Sequence, residues 1–362
     1  MSKGRVLMAM SGGIDSTIAS LILHEQGYEV IGITMKTWDY QSSGSSKKET
    51  GCCSLDSIND ARKLAVDCGF PHTILDIRDE FGDYIIDNFV NEYINGRTPN
   101  PCVLCNTHIK WEALLKRADM LECKYIATGH YAQIRYENSR YVVSKGLDHN
   151  KDQSYVLWGV SQECLKRTIF PIGSYHKDDI RKMAIQRGYS DLAAKSESYE
   201  ICFIPDNDYR KFLKNRVKGL EENVSGGNFI STSGKILGQH DGYPFYTIGQ
   251  RKIGISFGSE PTYVVGIDSE NNTVTVGSKD DLKKNEMYIK DINYVKCDKI
   301  VDGCTYLVKV RYKHSGELAT IFNDKSCLKV LFHNKVIGIA PGQSAVIYDG
   351  DDVVAGGFIM KK

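Results

Sequence analysis

The stretch Ser11-Gly12-Gly13-Ile14-Asp15-Ser16 constrains this chain more than any other. It follows an apolar run, Val6–Met10, and precedes a helix-compatible stretch, Thr17–Gln26. A strand that ends in a glycine pair and opens a helix makes a phosphate cradle. Glycine lets backbone N–H groups approach an anion, and the helix N-terminus adds a favourable dipole. Ser11 and Ser16 can add hydroxyl donors. Asp15 can hold Mg²⁺ through its outer sphere or steady the loop. The G-x-x-x-x-G-K-[ST] and G-x-G-x-x-G phosphate loops do not fit this spacing.

Composition narrows the class. The chain has 362 residues, 41% hydrophobic and 25% charged, enough for two or three domains with real cores. It lacks an apolar run of 18 residues and an apolar leader after Lys3 and Arg5, so cytoplasmic location without membrane contact is the expectation. A net charge of +1 leaves nucleic-acid binding to local surfaces. Eleven cysteines without a secretory signal argue against a structural disulfide framework and for some reactive thiols.

Alternating segments over the first 130 residues predict an α/β fold with a doubly wound parallel sheet. Strands are expected at Arg5–Met10, Val30–Met35, His72–Ile77 and Tyr125–Thr128. Helices are expected at Thr17–Gln26, Asp56–Cys68, Phe81–Asn95 and Thr107–Leu121, with a polar loop over Ser42–Gly51. Ligands of such sheets bind at the carboxyl ends of the strands, where Ser11–Ser16 falls. Further helices are expected at Ser154–Val160, Lys177–Gly188 and Asp208–Val217. Frequent glycines after Gly219 predict a small β-rich domain. Six alternating strands from Tyr288, with turns at Asn334-Lys335 and Asp349-Gly350, predict a small C-terminal β-barrel. The expected domains are residues 1–217, 218–280 and 281–362.

Three more clusters carry chemistry. Asn100-Pro101-Cys102-Val103-Leu104-Cys105-Asn106 reads as a plain turn, as half of a zinc site, or as a thiol activated at a helix N-terminus. A zinc site would need Cys52-Cys53, which are adjacent and poorly spaced for chelation. Cys202, within Glu200–Pro205, sits among apolar neighbours. Alone it reads as buried and inert. Beside a phosphate loop and Cys105 it suggests sulfur transfer, with one thiol carrying a persulfide and the other resolving it. Thr128–Tyr131 ends the fourth strand, and Lys151–Tyr155, Gly249–Lys252 and Arg311–Lys313 suit RNA contacts or a solvated basic surface.

Taken in order, these residues resemble the bacterial tRNA-specific 2-thiouridylases, enzymes of the ATP-pyrophosphatase (PP-loop) class. The resemblance runs through Ala9–Ser16, Gly32–Lys36, Thr98–Asn106, Thr128–Tyr131, Lys151–Gln153, Glu200–Pro205, Tyr246–Lys252, Arg311-Tyr312 and Pro341–Gln343. It implies a PP-loop catalytic domain, a small central β domain and a C-terminal barrel that contacts tRNA. It implies that sulfur replaces oxygen at C2 of the wobble uridine in the tRNAs for Lys, Glu and Gln. Under it, Cys105 is the nucleophile or resolving cysteine and Cys202 bears the persulfide. Ala9, Met10, Ser11, Gly12, Gly13, Ile14, Asp15, Ser16, Met35 and Gly129 hold ATP, with Mg²⁺ arriving on the nucleotide. Asn100, Pro101 and Cys102 fall at the target base. His130, Lys151, Asp152, Gln153, Arg311, Tyr312 and Gln343 fall at tRNA contacts. A sulfur-relay or cysteine desulfurase protein supplies the persulfide, and the chain acts as a monomer. Two positions depart from the family: Cys102 stands where Asp is usual, and Ile253 where Gly is usual. Two alternatives are another PP-loop ligase or amidotransferase acting on a small substrate, and a non-catalytic tRNA-binding protein.

Overall fold

The computed structural model describes residues 2–38, 55–195, 201–204, 206–254 and 261–361. The expected Ser42–Gly51 loop, Cys52-Cys53, Glu200 and Pro205 lie outside them. The chain divides into two compact units. The first comprises Met1–Ile85, Cys102–Asn207 and Asp351–Val353; the second comprises Ile86–Pro101, Asp208–Gly350 and Val354–Lys362.

The first unit is built on a five-stranded parallel sheet. Its strands are β1 (Arg5–Ala9), β2 (Glu29–Lys36), β3 (His72–Asp76), β4 (Tyr125–Thr128) and β7 (Thr168–Ile169), ordered β3-β2-β1-β4-β7. The central strand β1 carries Val6, Leu7 and Met8 at zero exposure, as a strand covered on both faces requires. Helices α1 (Ile14–Glu25) and α2 (Leu55–Cys68) turn Ile18, Ala19, Leu23, Ala61 and Leu64 into one core with Val6 and Met8. Gly27, at φ +87°, takes the left-handed conformation that ends α1. The chain reverses direction across the sheet between β1 and β4. An open α/β sheet has its ligand crevice outside the carboxyl ends of such a strand pair.

A hairpin of β5 (Ala132–Glu137) and β6 (Arg140–Lys145) also belongs to this unit. Sequence reading missed it, because its turn uses Asn138 and Ser139 at positive φ and carries no glycine. Arg135 grips Asp352 through two bonds of 2.7 and 2.6 Å, and the Ser144 hydroxyl donates to the same carboxylate at 2.7 Å. Two other expectations change. The helix expected from Thr107 already begins at Pro101. It runs Pro101–Leu104, then a π-wound turn over Cys105–Lys110, then Trp111–Met120. Ser154–Val160 forms only a 3₁₀ turn, Ser154–Leu157.

The second unit holds two all-β layers. The first is a four-stranded sheet of β8 (Gly227–Ser231), β9 (Ile236–His240), β10 (Tyr263–Asp268) and β11 (Thr273–Gly277), ordered β10-β11-β8-β9. The second is the C-terminal barrel: β12 (Lys283–Tyr294), β13 (Cys304–Lys309), β14 (Glu317–Asp324), β15 (Cys327–Ile337), β16 (Ser344–Asp349) and β17 (Asp352–Ile359). It closes where β12 pairs with β17, Ile289 opposite Ile359 and Tyr294 opposite Ala355. Ile289, Ile321, Val330 and Ile347 fill its interior at zero exposure. The turn expected at Asn334-Lys335 is absent. Those residues lie inside β15, where the register against β12 shifts between Lys284 and Glu286. Arg311 and Tyr312, expected within a strand, follow β13 in an exposed turn.

The barrel core sets a stability prediction. Ile347→Ala is expected to cost roughly 2–5 kcal/mol, the range for truncating a fully buried aliphatic side chain. Leu318→Ala, on the same barrel at 48% exposure, is expected to cost far less. Urea denaturation of both variants checks this.

Candidate functional site

The turn after β1 is shaped by its own side chains. Gly12 sits at φ +70°, and a Cβ there would lie 2.0 Å from the Ser57 carbonyl oxygen. Only glycine fits, on both counts. The Ser16 hydroxyl knits the loop: it accepts from the Ser11 N–H at 3.1 Å, donates to the Gly13 carbonyl at 3.0 Å, and lies 3.2 Å from the Ser11 hydroxyl. Gly13 caps α1 with no side-chain bond, so the first turn of the helix presents backbone donors to an incoming anion. Ala9 ends β1, and the Met10 carbonyl accepts from the Thr34 hydroxyl at 2.9 Å. Met35 lies at the matching end of β2.

Gly129 follows β4 and faces this turn. A Cβ on it would sit 2.9 Å from the Ser16 nitrogen and 3.0 Å from the Asp15 carbonyl carbon. Ala9, Met10, Ser11–Ser16, Met35 and Gly129 therefore gather at the carboxyl edge of the sheet within the first unit. The sequence analysis did not single out Lys177, which is buried with only 4% of its surface exposed. Its ammonium pairs with both Asp15 oxygens at 2.7 and 2.8 Å, and the Tyr131 phenol donates to Oδ1 at 2.7 Å. Of the two roles open to Asp15, steadying the loop is the one this geometry displays. Among the described residues no group of three or more His, Cys, Asp or Glu side chains could hold a metal.

The thiol segment begins as the helix at Pro101. The segment before it is fixed within the second unit. Gln343 donates through its amide to the Thr98 and Pro99 carbonyls at 3.2 and 2.7 Å, and the Thr98 N–H donates to the Pro341 carbonyl at 2.8 Å. Gly342, at φ +89°, permits this approach: a Cβ there would lie 2.8 Å from the Thr98 oxygen. Asn100 and Pro101 belong to the second unit, Cys102, Cys105 and Cys202 to the first. Cys105 opens the π-wound turn and is half-buried; Cys102 and Cys202 are exposed. π-turns inside helices recur at functional sites because they re-aim side chains. The expected lowering of a thiol pKa by the helix dipole does not hold for Cys102. Desolvation pushes its thiol up, and Lys110 only partly offsets this.

His130 shares the influence of Lys110. Burial first, and that charge second, hold its imidazole well below its ordinary value, so it is neutral at pH 7. Nδ1 lies 2.8 Å from the Thr128 hydroxyl, and the ring packs near Trp111 and Phe170. Asp152 is buried, and its carboxylate accepts from the Gly146 and Ser154 N–H groups and the Ser154 hydroxyl. This carboxylate shapes its own loop. Lys151 and Gln153 flank it, half-buried. Arg311 and Tyr312 lie exposed on the barrel turn, the Arg311 guanidinium so close over Gly338 that a Cβ there would be 2.4 Å from it. The expected tRNA contacts thus fall on both units. Among the described residues no helix is long and apolar enough to cross a membrane.

A parallel sheet with a phosphate-shaped turn at its reversal point defines a nucleotide-binding α/β domain of the HUP class. The model for the tRNA methyl transferase HUP domain matches residues 4–206. The tRNA methyl transferase PRC-barrel domain matches 210–278, and the aminomethyltransferase beta-barrel domain matches 284–359. The tRNA-specific 2-thiouridylase MnmA of Amoebophilus asiaticus is 62% identical over 99% of this chain and 96% of its own length. Its namesakes in Cytophaga hutchinsonii and Salinibacter ruber are 61% and 55% identical, each over 99% of this chain and over 97% and 94% of their own lengths. The chain belongs to the tRNA-specific 2-thiouridylase family.

Two measurements check this geometry. Gly129→Ala is expected to cost about 1–3 kcal/mol, the usual overpacking penalty, because its methyl meets backbone on Ser16. Gly13→Ala, whose methyl would lie 3.4 Å from the Ser11 hydroxyl, is expected to leave the fold intact. His130 sets a pH dependence. Its folded pKa lies below the ordinary 6.5, so the unfolded chain binds the proton first. Its contribution is full above pH 6.5 and is lost as pH falls below that value. His130→Gln is expected to lose less stability than the parent between pH 7.5 and 5, measured by urea denaturation at both values.

Proposed function

We propose that this chain is a tRNA-uridine 2-sulfurtransferase that thiolates C2 of the wobble uridine in the tRNAs for Lys, Glu and Gln. The observation that carries the reading is the identity of 62% to a named 2-thiouridylase across nearly the whole chain, in a protein whose loop is shaped for phosphate and whose first unit holds separated thiols. The family models carry the words methyl transferase. A pyrophosphate loop followed by Cys105 and Cys202 suits sulfur chemistry better, because methyl transfer needs neither ATP cleavage nor a thiol pair.

Uridine's C2 oxygen is a poor leaving group. Its attack on the α-phosphate of ATP, with loss of pyrophosphate, makes an adenylated base whose leaving group is AMP. Ser11–Ser16 and the open first turn of α1 hold the departing pyrophosphate, and Mg²⁺ carried by the nucleotide offsets its charge. Ala9, Met10, Met35 and Gly129 border the nucleotide. Cys202 carries sulfur as a persulfide delivered by a relay or desulfurase protein. The terminal sulfur attacks C2 and AMP departs; Cys105 attacks the Cys202 sulfur and breaks the sulfur–sulfur bond, either afterwards, releasing the thiolated base, or beforehand, freeing sulfide that then attacks C2. Cys105 and Cys202 end as a disulfide, two electrons short, and a cellular reductant resets them. Their Cα atoms then approach within about 7 Å. Asn100, Pro101 and Cys102 border the target base; His130, Lys151, Gln153, Arg311 and Tyr312 contact tRNA. Asp152 and Gln343 belong to the same tRNA-contacting set and also shape the segments beside them. The three domains are residues 1–217, 218–280 and 281–362, and the chain works as a cytoplasmic monomer.

The direct test is to incubate the purified chain with ATP, Mg²⁺, a persulfide source and unmodified tRNA, then digest and analyse the nucleosides. 2-Thiouridine at the wobble position supports the reading, and its absence with competent substrates refutes it. Asp15→Ala is expected to abolish AMP formation, because the loop that holds the pyrophosphate loses its ties to Lys177 and Tyr131, while tRNA binding survives. Cys202→Ser is expected to stop thiolation while adenylation continues. Cys102→Ser is expected to remain nearly active; complete loss would make Cys102 a catalytic thiol.

A further inference from the structure

Tyr131 has no part in the roles above, yet three of its atoms tie two functional segments together. It is buried, with 3% of its surface exposed. Its phenol donates to Asp15 Oδ1 at 2.7 Å. Its main-chain N–H donates to Gln153 Oε1 at 2.9 Å, and its main-chain carbonyl accepts from the Gln153 N–H at 2.9 Å. One end of the residue is thus fixed to the Lys151–Gln153 loop and the other to the pyrophosphate loop. The loop end is stiff, because the Asp152 carboxylate is spent on Gly146 and Ser154. The other end is stiff as well, because Lys177 holds the same Asp15 carboxylate.

We propose that Tyr131 is a positioning residue that couples RNA on the Lys151–Gln153 loop to the orientation of Asp15 in the pyrophosphate loop. This rests on the functional reading above, in which the one loop meets tRNA and the other ATP. Gln153 holds both main-chain polar groups of Tyr131, so a displacement of Gln153 by bound RNA moves the tyrosine backbone. The rigid ring carries that movement to its hydroxyl, and the hydroxyl holds Asp15. The arrangement makes ATP cleavage responsive to RNA on the Lys151–Gln153 loop, apart from the contact of the target base with the α-phosphate. A coupling of this kind is reciprocal in binding: whatever nucleotide does to RNA affinity, RNA does to nucleotide affinity.

The experiment measures tRNA affinity with and without a non-hydrolysable ATP analogue, for the full chain and for Tyr131→Phe. The substitution removes one hydroxyl, keeps the ring and leaves the Lys177 pair with Asp15. In the parent, the analogue is expected to change tRNA affinity by about tenfold, within the usual range of coupling between sites. In Tyr131→Phe that factor is expected to fall below about twofold, with affinity for tRNA alone unchanged. The kcat for tRNA-dependent ATP cleavage is expected to drop while KM for ATP holds. Gln153→Ala removes the side-chain bond to the Tyr131 N–H while keeping the main-chain bond to its carbonyl, and is expected to lower the factor in the same direction. A merely structural role would weaken both ligands together and leave the factor intact, and that result overturns the proposal. So does a parent chain that binds both ligands with no coupling. A parent that binds neither ligand refutes the functional reading itself, and the proposal falls with it.

Discussion

The turn between β1 and α1 keeps its shape only because position 12 carries no side chain. Gly12 lies in left-handed conformation against the Ser57 backbone, where a methyl would collide. Everything at this edge of the sheet is set by that close approach. It lets Ser16 bond to Ser11 and Gly13, it leaves the first turn of α1 without a side-chain cap, and it brings Asp15 within reach of Lys177 and Tyr131. A side chain at Gly129 would press on the same turn from β4. Two glycines from distant parts of the chain thus allow one loop to be packed from both sides.

Charge balance matters as much as shape. A carboxylate beside a site for a polyanion repels its ligand unless a cation neutralises it. Lys177 supplies that cation from a buried position, and it comes from a helix far along the chain. Asp15 and Lys177 together are neutral, so the attraction for phosphate is left to backbone N–H groups and the dipole of α1. The thiols follow a different logic. Cys105 stands at the start of a π-wound turn and Cys102 one turn earlier, and desolvation pushes the Cys102 thiol up.

Much of this was legible in the sequence. The strand–glycine–helix junction named the loop, and the four parallel strands around it appear where the apolar runs placed them. A run such as Val6–Met10 can only be a strand covered on both faces or a buried helix, and the glycines beyond it settle which. The barrel was legible from alternation. What escaped depends on long-range contact. Lys177 read as an ordinary first residue of an amphipathic helix, because nothing local marks a lysine that pairs with residue 15. The β5–β6 hairpin escaped because Asn138 and Ser139 make its turn without glycine. The helix start at Pro101 escaped because a proline among cysteines reads as a turn. Asp152 was legible as a loop residue but not as a buried one, since burial is a property of what packs around it.

The central claim is that the C2 oxygen of uridine leaves on AMP. Transfer RNA carrying ¹⁸O at C2 of the wobble uridine, incubated with the chain, ATP, Mg²⁺ and a persulfide source, tests it directly by mass spectrometry of the released nucleotide. The account predicts one ¹⁸O in the phosphate of AMP for each 2-thiouridine formed. Label released into water, or unlabelled AMP beside thiolated tRNA, would contradict it.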